Sequence, residues 1–264
     1  MKIKPPIPLF GVPIKGRINP ILITLLDNSI DVNMHLSENT ITITLKDILL
    51  DDHCLNIIDK YMNIIATEIG FNLDIKMQAE GETKIPCISL YSILTYIMSL
   101  ELSKYYDVGI DDMMKVIQEV EEENIENEYM QFINACRQGI NTGKPIIYRQ
   151  GEGFIPINIS ESPITITPLG KTKSIEEKYT KYSESIMSAL THIAGVLVIE
   201  AFNALTNDIS YINSLVKLEN TLWYILYNIN IPTEAFTKWV TDINRAYLVK
   251  IRLTGIDNNN KTRR

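Results

Sequence analysis

The run Thr40-Ile41-Thr42-Ile43-Thr44-Leu45 alternates threonine with an aliphatic residue at every step. A period of two suits a strand with one dry face and one wet face, and the β-branched side chains favour it further. Ile21–Leu26 and Ile30–Leu36 are similarly β-rich. The turn residues Asp27-Asn28-Ser29 and Ser37-Glu38-Asn39 separate the three runs. The chain therefore opens as a sheet. Pro5, Pro6 and Pro8 remove ladder donors, which excludes Pro5–Gly11 from the centre of that sheet.

Helices come next. Asp51-Asp52 ahead of His53–Ile69 gives a capped helix, closed by Gly70. A strand over Phe71–Met77 follows. Ile88–Tyr105 is strongly apolar and is predicted to be buried. Asp111–Glu123 is amphipathic and ends in an acidic run, and Glu128–Arg137 is a third helix. Ile146–Tyr148 and Gly153–Ile155 form a hairpin around Gln150-Gly151-Glu152. Ile164–Thr167 is a strand. Helices are predicted over Ser174–Leu190, Ala194–Leu205, Ile209–Tyr227 and Thr233–Ile243, with a closing strand over Tyr247–Leu253. This order gives the α+β class, with two fused halves at residues 1–160 and 161–264.

Hydrophobic residues make up 45% of the chain and charged residues 22%, which suits a globular protein with a sizeable core. The net charge of −7 argues against general affinity for nucleic-acid phosphate, and Lys261-Thr262-Arg263-Arg264 is a solvated tail. The longest apolar stretch, Ile193–Leu205, is interrupted by Glu200 and Asn203 and is too short for a bilayer. No sustained apolar run opens the chain, so a cytoplasmic location is expected. Cys54, Cys87 and Cys136 lack metal-ligand spacing and are odd in number, which predicts buried free thiols. His35, His53 and His192 are far apart, so no metal site is expected.

Four landmarks recur in order. The first is Leu9-Phe10-Gly11 with Pro20-Ile21-Leu22 beyond it. The second is Lys84-Ile85-Pro86-Cys87-Ile88-Ser89-Leu90-Tyr91-Ser92 after a strand. The third is Phe132–Gly139 ahead of Gly143-Lys144-Pro145. The fourth is the helix Leu215–Leu226 leading to Lys250-Ile251-Arg252-Leu253-Thr254-Gly255. This series resembles the GHMP small-molecule kinase superfamily, mevalonate kinases most closely. The resemblance implies the GHMP-kinase fold: a ribosomal-protein-S5-domain-2-like N-terminal half and a ferredoxin-like C-terminal half.

The resemblance also implies what has changed. The family's polar Glu-His after Leu-Phe-Gly falls on Val12-Pro13, and its lysine falls on Pro6. The family's glycine-rich loop cradles nucleotide phosphates with backbone amides at a helix N-terminus, yet no glycine follows Pro86 here. The family's aspartate falls on Ile133 or Asn134. Its C-terminal glycines fall on Asp257, Asn258, Asn259 and Asn260. Phosphoryl transfer rests on positioning and charge neutralisation, and these losses remove both.

The resemblance therefore implies a mevalonate-kinase-like pseudoenzyme with a binding or regulatory role, no catalytic residue and no cofactor. The alternative is an active kinase of a small isoprenoid-type alcohol, using ATP and Mg²⁺ at a rewired site. Lys84, Ser89, Ser92, Asn134, Lys144 and Thr254 are the candidate ligand contacts left from the family's motifs. Family members continue into a further strand beyond the last glycines, so an uncovered sheet edge is expected here. The edge or the adjacent helical face would serve pairing, as a homodimer or with another GHMP-family protein.

Overall fold

The computed structural model describes residues 1–46, 48–77, 83–158, 162–175 and 182–254. Gly255 and the segment from Asp257 to Arg264 lie outside them.

The strands are β1 (Lys2–Ile3), β2 (Pro6–Phe10), β3 (Ile21–Leu25), β4 (Ile30–Ser37), β5 (Thr40–Lys46), β6 (Ile48–Leu49), β7 (Asn72–Met77), β8 (Thr83–Lys84), β9 (Ile146–Arg149), β10 (Gly153–Pro156), β11 (Ile164–Ser174), β12 (Thr237–Asp242) and β13 (Arg245–Leu253). The helices are α1 (Asp52–Glu68), α2 (Cys87–Tyr106), α3 (Ile110–Glu122), α4 (Asn127–Thr142), α5 (Glu184–Thr206) and α6 (Ile212–Tyr227).

One sheet runs β1-β4-β5-β7. The threonine-alternating strand β5 pairs antiparallel with β4 and parallel with β7, which returns through α1. A second sheet runs β10-β9-β3-β2 and places the proline-bearing β2 at an edge, as its missing donors require. A third runs β11-β13-β12, all antiparallel. A short parallel pair joins β6 and β8. No single parallel sheet flanked by helices forms among the described residues.

The β2–β3 pair is a shared wall. Ile7, Ile21 and Ile23 belong to a core built with α1, α2 and α4. Phe10 and Leu22 belong to a second core built with α5, α6, β12 and β13. Strand alternation sends successive side chains of β3 into different cores.

Three expectations need correction. Thr233–Ile243 is not a helix: β12 occupies most of it. Asn220 on α6 donates from Nδ2 to the Thr237 carbonyl at 2.9 Å and accepts from the Trp239 amide at 3.1 Å, which holds the segment extended. Ser174–Leu190 and Ala194–Leu205 are not two helices. Ser174 ends β11, and one helix, α5, begins after its cap Ser183 and runs unbroken through Gly195. At 23 residues, α5 is long and apolar enough by length and composition to cross a membrane. It instead packs Leu190, Ala194, Leu197, Val198 and Ala201 into the second core. The thiols are not all free: Cys54 and Cys87 form a disulfide, and only Cys136 is free and buried. In the third sheet β13 is central, with β11 and β12 at the edges.

Candidate functional site

The family resemblance puts phosphate at the N-terminus of α2. Pro86 precedes the helix and offers no side-chain cap. The backbone amide of Ile88 donates instead to Asp242 Oδ1 at 2.7 Å, from the end of β12. The same oxygen accepts the Ile243 amide at 3.0 Å. The other oxygen, Oδ2, accepts from Arg245 Nε at 2.8 Å. Asp242 is fully buried, so the carboxylate faces only protein. A negative group at a helix N-terminus is favoured by the free amides and the helix dipole. Here the chain supplies that group itself.

Arg245 ties this cap to a second. Its Nη1 donates to Asp51 Oδ2 at 2.6 Å, and Asp51 Oδ1 accepts the Cys54 amide at 2.9 Å as the cap of α1. One guanidinium thus bridges the caps of two helices, and the Cys54–Cys87 bond joins the same two first turns. Burial raises the carboxyl of Asp51. The hydrogen bonds from Arg245 and the Cys54 amide outweigh that and hold it below its ordinary value of 3.8. Burial acts to lower the Arg245 guanidinium, but Asp242 and Asp51 together raise it above its ordinary value.

The segment Leu9–Pro13 is closed in the same way. Gly11 has a φ of 126°, a conformation open to glycine, and a Cβ there would lie 3.3 Å from Phe132. Its amide donates to Glu219 Oε1 at 2.6 Å, and its carbonyl accepts from Thr241 Oγ1 at 3.0 Å. The Tyr227 hydroxyl donates to the Pro13 carbonyl. Lys238 Nζ pairs with Glu219 and sits 4.4 Å from the centre of the Phe10 ring. Both charges of that pair are buried. Burial pushes the Glu219 carboxyl up and the Lys238 amine down, and their mutual attraction opposes both shifts.

The third landmark lies in a buried network. Arg137 donates to Thr95 Oγ1 from Nε at 3.0 Å and from Nη2 at 2.7 Å, to Asn134 Oδ1 at 3.2 Å, and to Glu121. The Tyr91 hydroxyl donates to Glu121 Oε1 at 2.7 Å.

The six candidate contact residues do not converge. The Ser89 hydroxyl donates to the Pro6 carbonyl, and that of Ser92 to the Ile88 carbonyl at 2.7 Å. Asn134 is held by Arg137. Lys144 Nζ donates to Asn158 Oδ1 at 2.9 Å, on the surface. The Thr254 hydroxyl donates to the Ser162 carbonyl at 2.6 Å. Lys84 lines a cavity of about 230 Å³ with Asp51, Arg245 and Tyr247. The residues that fill the α2 end and the Leu9–Pro13 segment are Asp242, Arg245, Glu219 and Lys238. None of them was singled out from sequence. The available signal was Asp242 and Asn244, turn-forming residues just after the β-favouring Trp239-Val240-Thr241.

No family profile matches the sequence, and no curated protein matches it. Among solved structures, the chain is similar to L. major mevalonate kinase in complex with R-mevalonate. The TM-score is 0.56 at 12% identity, over 84% of this chain and 73% of that one. It is also similar to Streptococcus pneumoniae phosphomevalonate kinase, with a TM-score of 0.48 at 11% identity, over 95% of this chain and 90% of that one. The likeness to the L. major enzyme shows that the chain shares that kinase's α+β fold.

Proposed function

We propose that this chain is a mevalonate-kinase-fold protein that does not transfer phosphoryl groups and acts as a binding or regulatory protein. The observation that carries the reading is the Asp242 carboxylate on the α2 N-terminal amide. A nucleotide phosphate at that amide would meet a buried carboxylate at hydrogen-bond distance, and like charges at such a separation repel. The residues present therefore do not fit ATP and Mg²⁺ in the manner of the family. Pro6 stands where the family's lysine falls, and Ile133 or Asn134 where its aspartate falls. The buried Glu219–Lys238 pair against Phe10 and Gly11 supports the same reading, because it ties the Leu9–Pro13 segment to α6 and β12.

The test is ligand-dependent melting of the full chain. A ligand at 100-fold its Kd adds about 2.7 kcal/mol to folding. ATP with Mg²⁺, with and without R-mevalonate, is expected to leave the melting temperature unchanged and to yield no ADP. ADP release dependent on R-mevalonate would establish the kinase alternative instead, and an ATP-dependent rise in melting temperature would revive it by showing that the site does take nucleotide.

A further inference from the structure

One sulfur of the Cys54–Cys87 bond borders a cavity and the other does not. The cavity of about 230 Å³ is lined at its mouth by Leu49, Asp51 and Lys84, which are exposed. Cys54, Arg245 and Tyr247, all buried, line it further in. Drug-sized ligands fill roughly 300–1,000 Å³, so this space takes one end of a molecule. Cys87 lies outside the lining and is fully buried.

Two cations stand in the cavity wall. Arg245 is held there by Asp242 and Asp51. Lys84 has no acidic partner among the described residues. Its stem lies along Gly170, where a Cβ would come within 2.7 Å of Lys84 Cδ. Asp51 brings a negative charge to the same wall, but its oxygens accept from the Cys54 amide and from Arg245. Both cysteines also begin helices. Cys54 is in the first turn of α1, and Cys87 is the first residue of α2. Helix N-termini and neighbouring Lys or Arg side chains favour a thiolate over a thiol.

We propose that Cys54 is a thiol–disulfide exchange site for a small anionic thiol. A thiolate entering the cavity attacks Cys54 Sγ. A new S–S bond joins it to Cys54 as the Cys54–Cys87 bond breaks, and the electron pair leaves on Cys87 Sγ. A second thiolate then attacks the outer sulfur of the mixed disulfide and frees Cys54. The balance is two thiols oxidised to one disulfide and the protein's disulfide reduced to two thiols. Cys87, returning to Cys54 before that second step, expels the thiol and restores the bond. The fold suits reversible cleavage, because the Asp51–Arg245–Asp242 bridge still joins the two helix starts when the covalent link opens. This inference does not depend on whether the chain binds nucleotide.

The test uses the folded full chain, with thioglycolate as the anionic probe and mercaptoethanol as its neutral counterpart. Cys87→Ser treated with dithiodiglycolate is expected to gain one adduct, placed on Cys54 by peptide mapping. Cys54→Ser is expected to gain none on Cys87. In the wild type, brief native reduction followed by iodoacetamide should label Cys54 before Cys87. That measurement carries the test should either variant unfold. Lys84→Gln should slow reduction by thioglycolate roughly threefold and reduction by mercaptoethanol less. No adduct on folded Cys87→Ser, an equal adduct on Cys54→Ser, or equal labelling of the two wild-type cysteines overturns the proposal. So does reduction that proceeds only in denaturant, which would make the bond purely structural. An equal effect of Lys84→Gln on both thiols overturns the anionic class.

Discussion

The carboxylate of Asp242 accepts the backbone amide of Ile88 at 2.7 Å, so a strand end from the C-terminal sheet caps the most buried helix of the N-terminal half. Asp242 also holds Arg245, which is 6% exposed. Removing one member of a buried charged pair costs about 3–5 kcal/mol, because the partner stays buried without its counterion. Asp242→Ala should therefore lower the urea midpoint by that much stability. Asp242→Asn also removes the charge but keeps a neutral acceptor for the amide, so it should cost about 1 kcal/mol less than the alanine variant. Equal losses in the two variants would show that a neutral acceptor replaces none of the cap and that the charge alone carries it.

The Glu219–Lys238 pair gives a second prediction. Both groups are buried, and burial acts against the charged form of each. Glu219→Gln should cost about 3–5 kcal/mol by leaving the ammonium unpaired against Phe10. Glu219→Leu with Lys238→Met replaces the pair by apolar side chains of similar size and should recover most of that loss, since buried pairs barely offset their desolvation. A double-mutant cycle by chemical denaturation measures the coupling. A double variant as unstable as the sum of its singles would mean that the pair is not coupled.

Much of the fold was legible because local pattern and tertiary role agree. The alternation of Thr40–Leu45 is the alternation of a half-buried β5. Asp51 reads as a cap and is one. Legibility failed where a distant side chain decides local structure. Thr233-Glu234 after a proline looks like a helix start, but Asn220, a turn of chain away on α6, holds Thr237 and Trp239 extended. Nothing within Ser183–Thr206 marks a break, so the division of α5 rested on residue choice alone. Cysteine count argued for free thiols, while the approach of two helix starts pairs Cys54 with Cys87. The contacts that fill the α2 end join residues 154 apart in sequence, beyond the reach of any local pattern.

The Cys54–Cys87 bond spans a sequence separation of 33 residues. Closing a loop of that size in the unfolded chain stabilises the fold by roughly 3–4 kcal/mol in the chain-entropy account. Dithiothreitol should lower the unfolding midpoint accordingly, and a Cys54→Ser, Cys87→Ser variant should not respond to it. In denaturant without reductant a thiol reagent should titrate Cys136 alone, and with reductant all three cysteines. Three reactive thiols in the unreduced protein would remove the bond.

Cys136 gives a pH dependence with a fixed sign. It is fully buried on α4, and burial pushes its thiol from the ordinary 9.0 up to about 12, although a hydrogen bond with Ser92 and the charge of Arg137 pull it down. The unfolded thiol therefore ionises first as pH rises. The stability held by the neutral buried thiol is fully present below pH 9.0 and is lost progressively towards about 12. Between pH 8 and pH 10 the loss should be about 1.4 kcal/mol, one unit of separation. Lysines and tyrosines titrate in the same window, so the quantity to measure is the difference between wild type and Cys136→Ala. The alanine variant loses some packing at every pH, but its stability should fall less steeply above pH 9. Parallel pH profiles from denaturant melts would show that Cys136 ionises in the folded protein as readily as in the unfolded chain, and would put the thiol outside the buried core of α2 and α4.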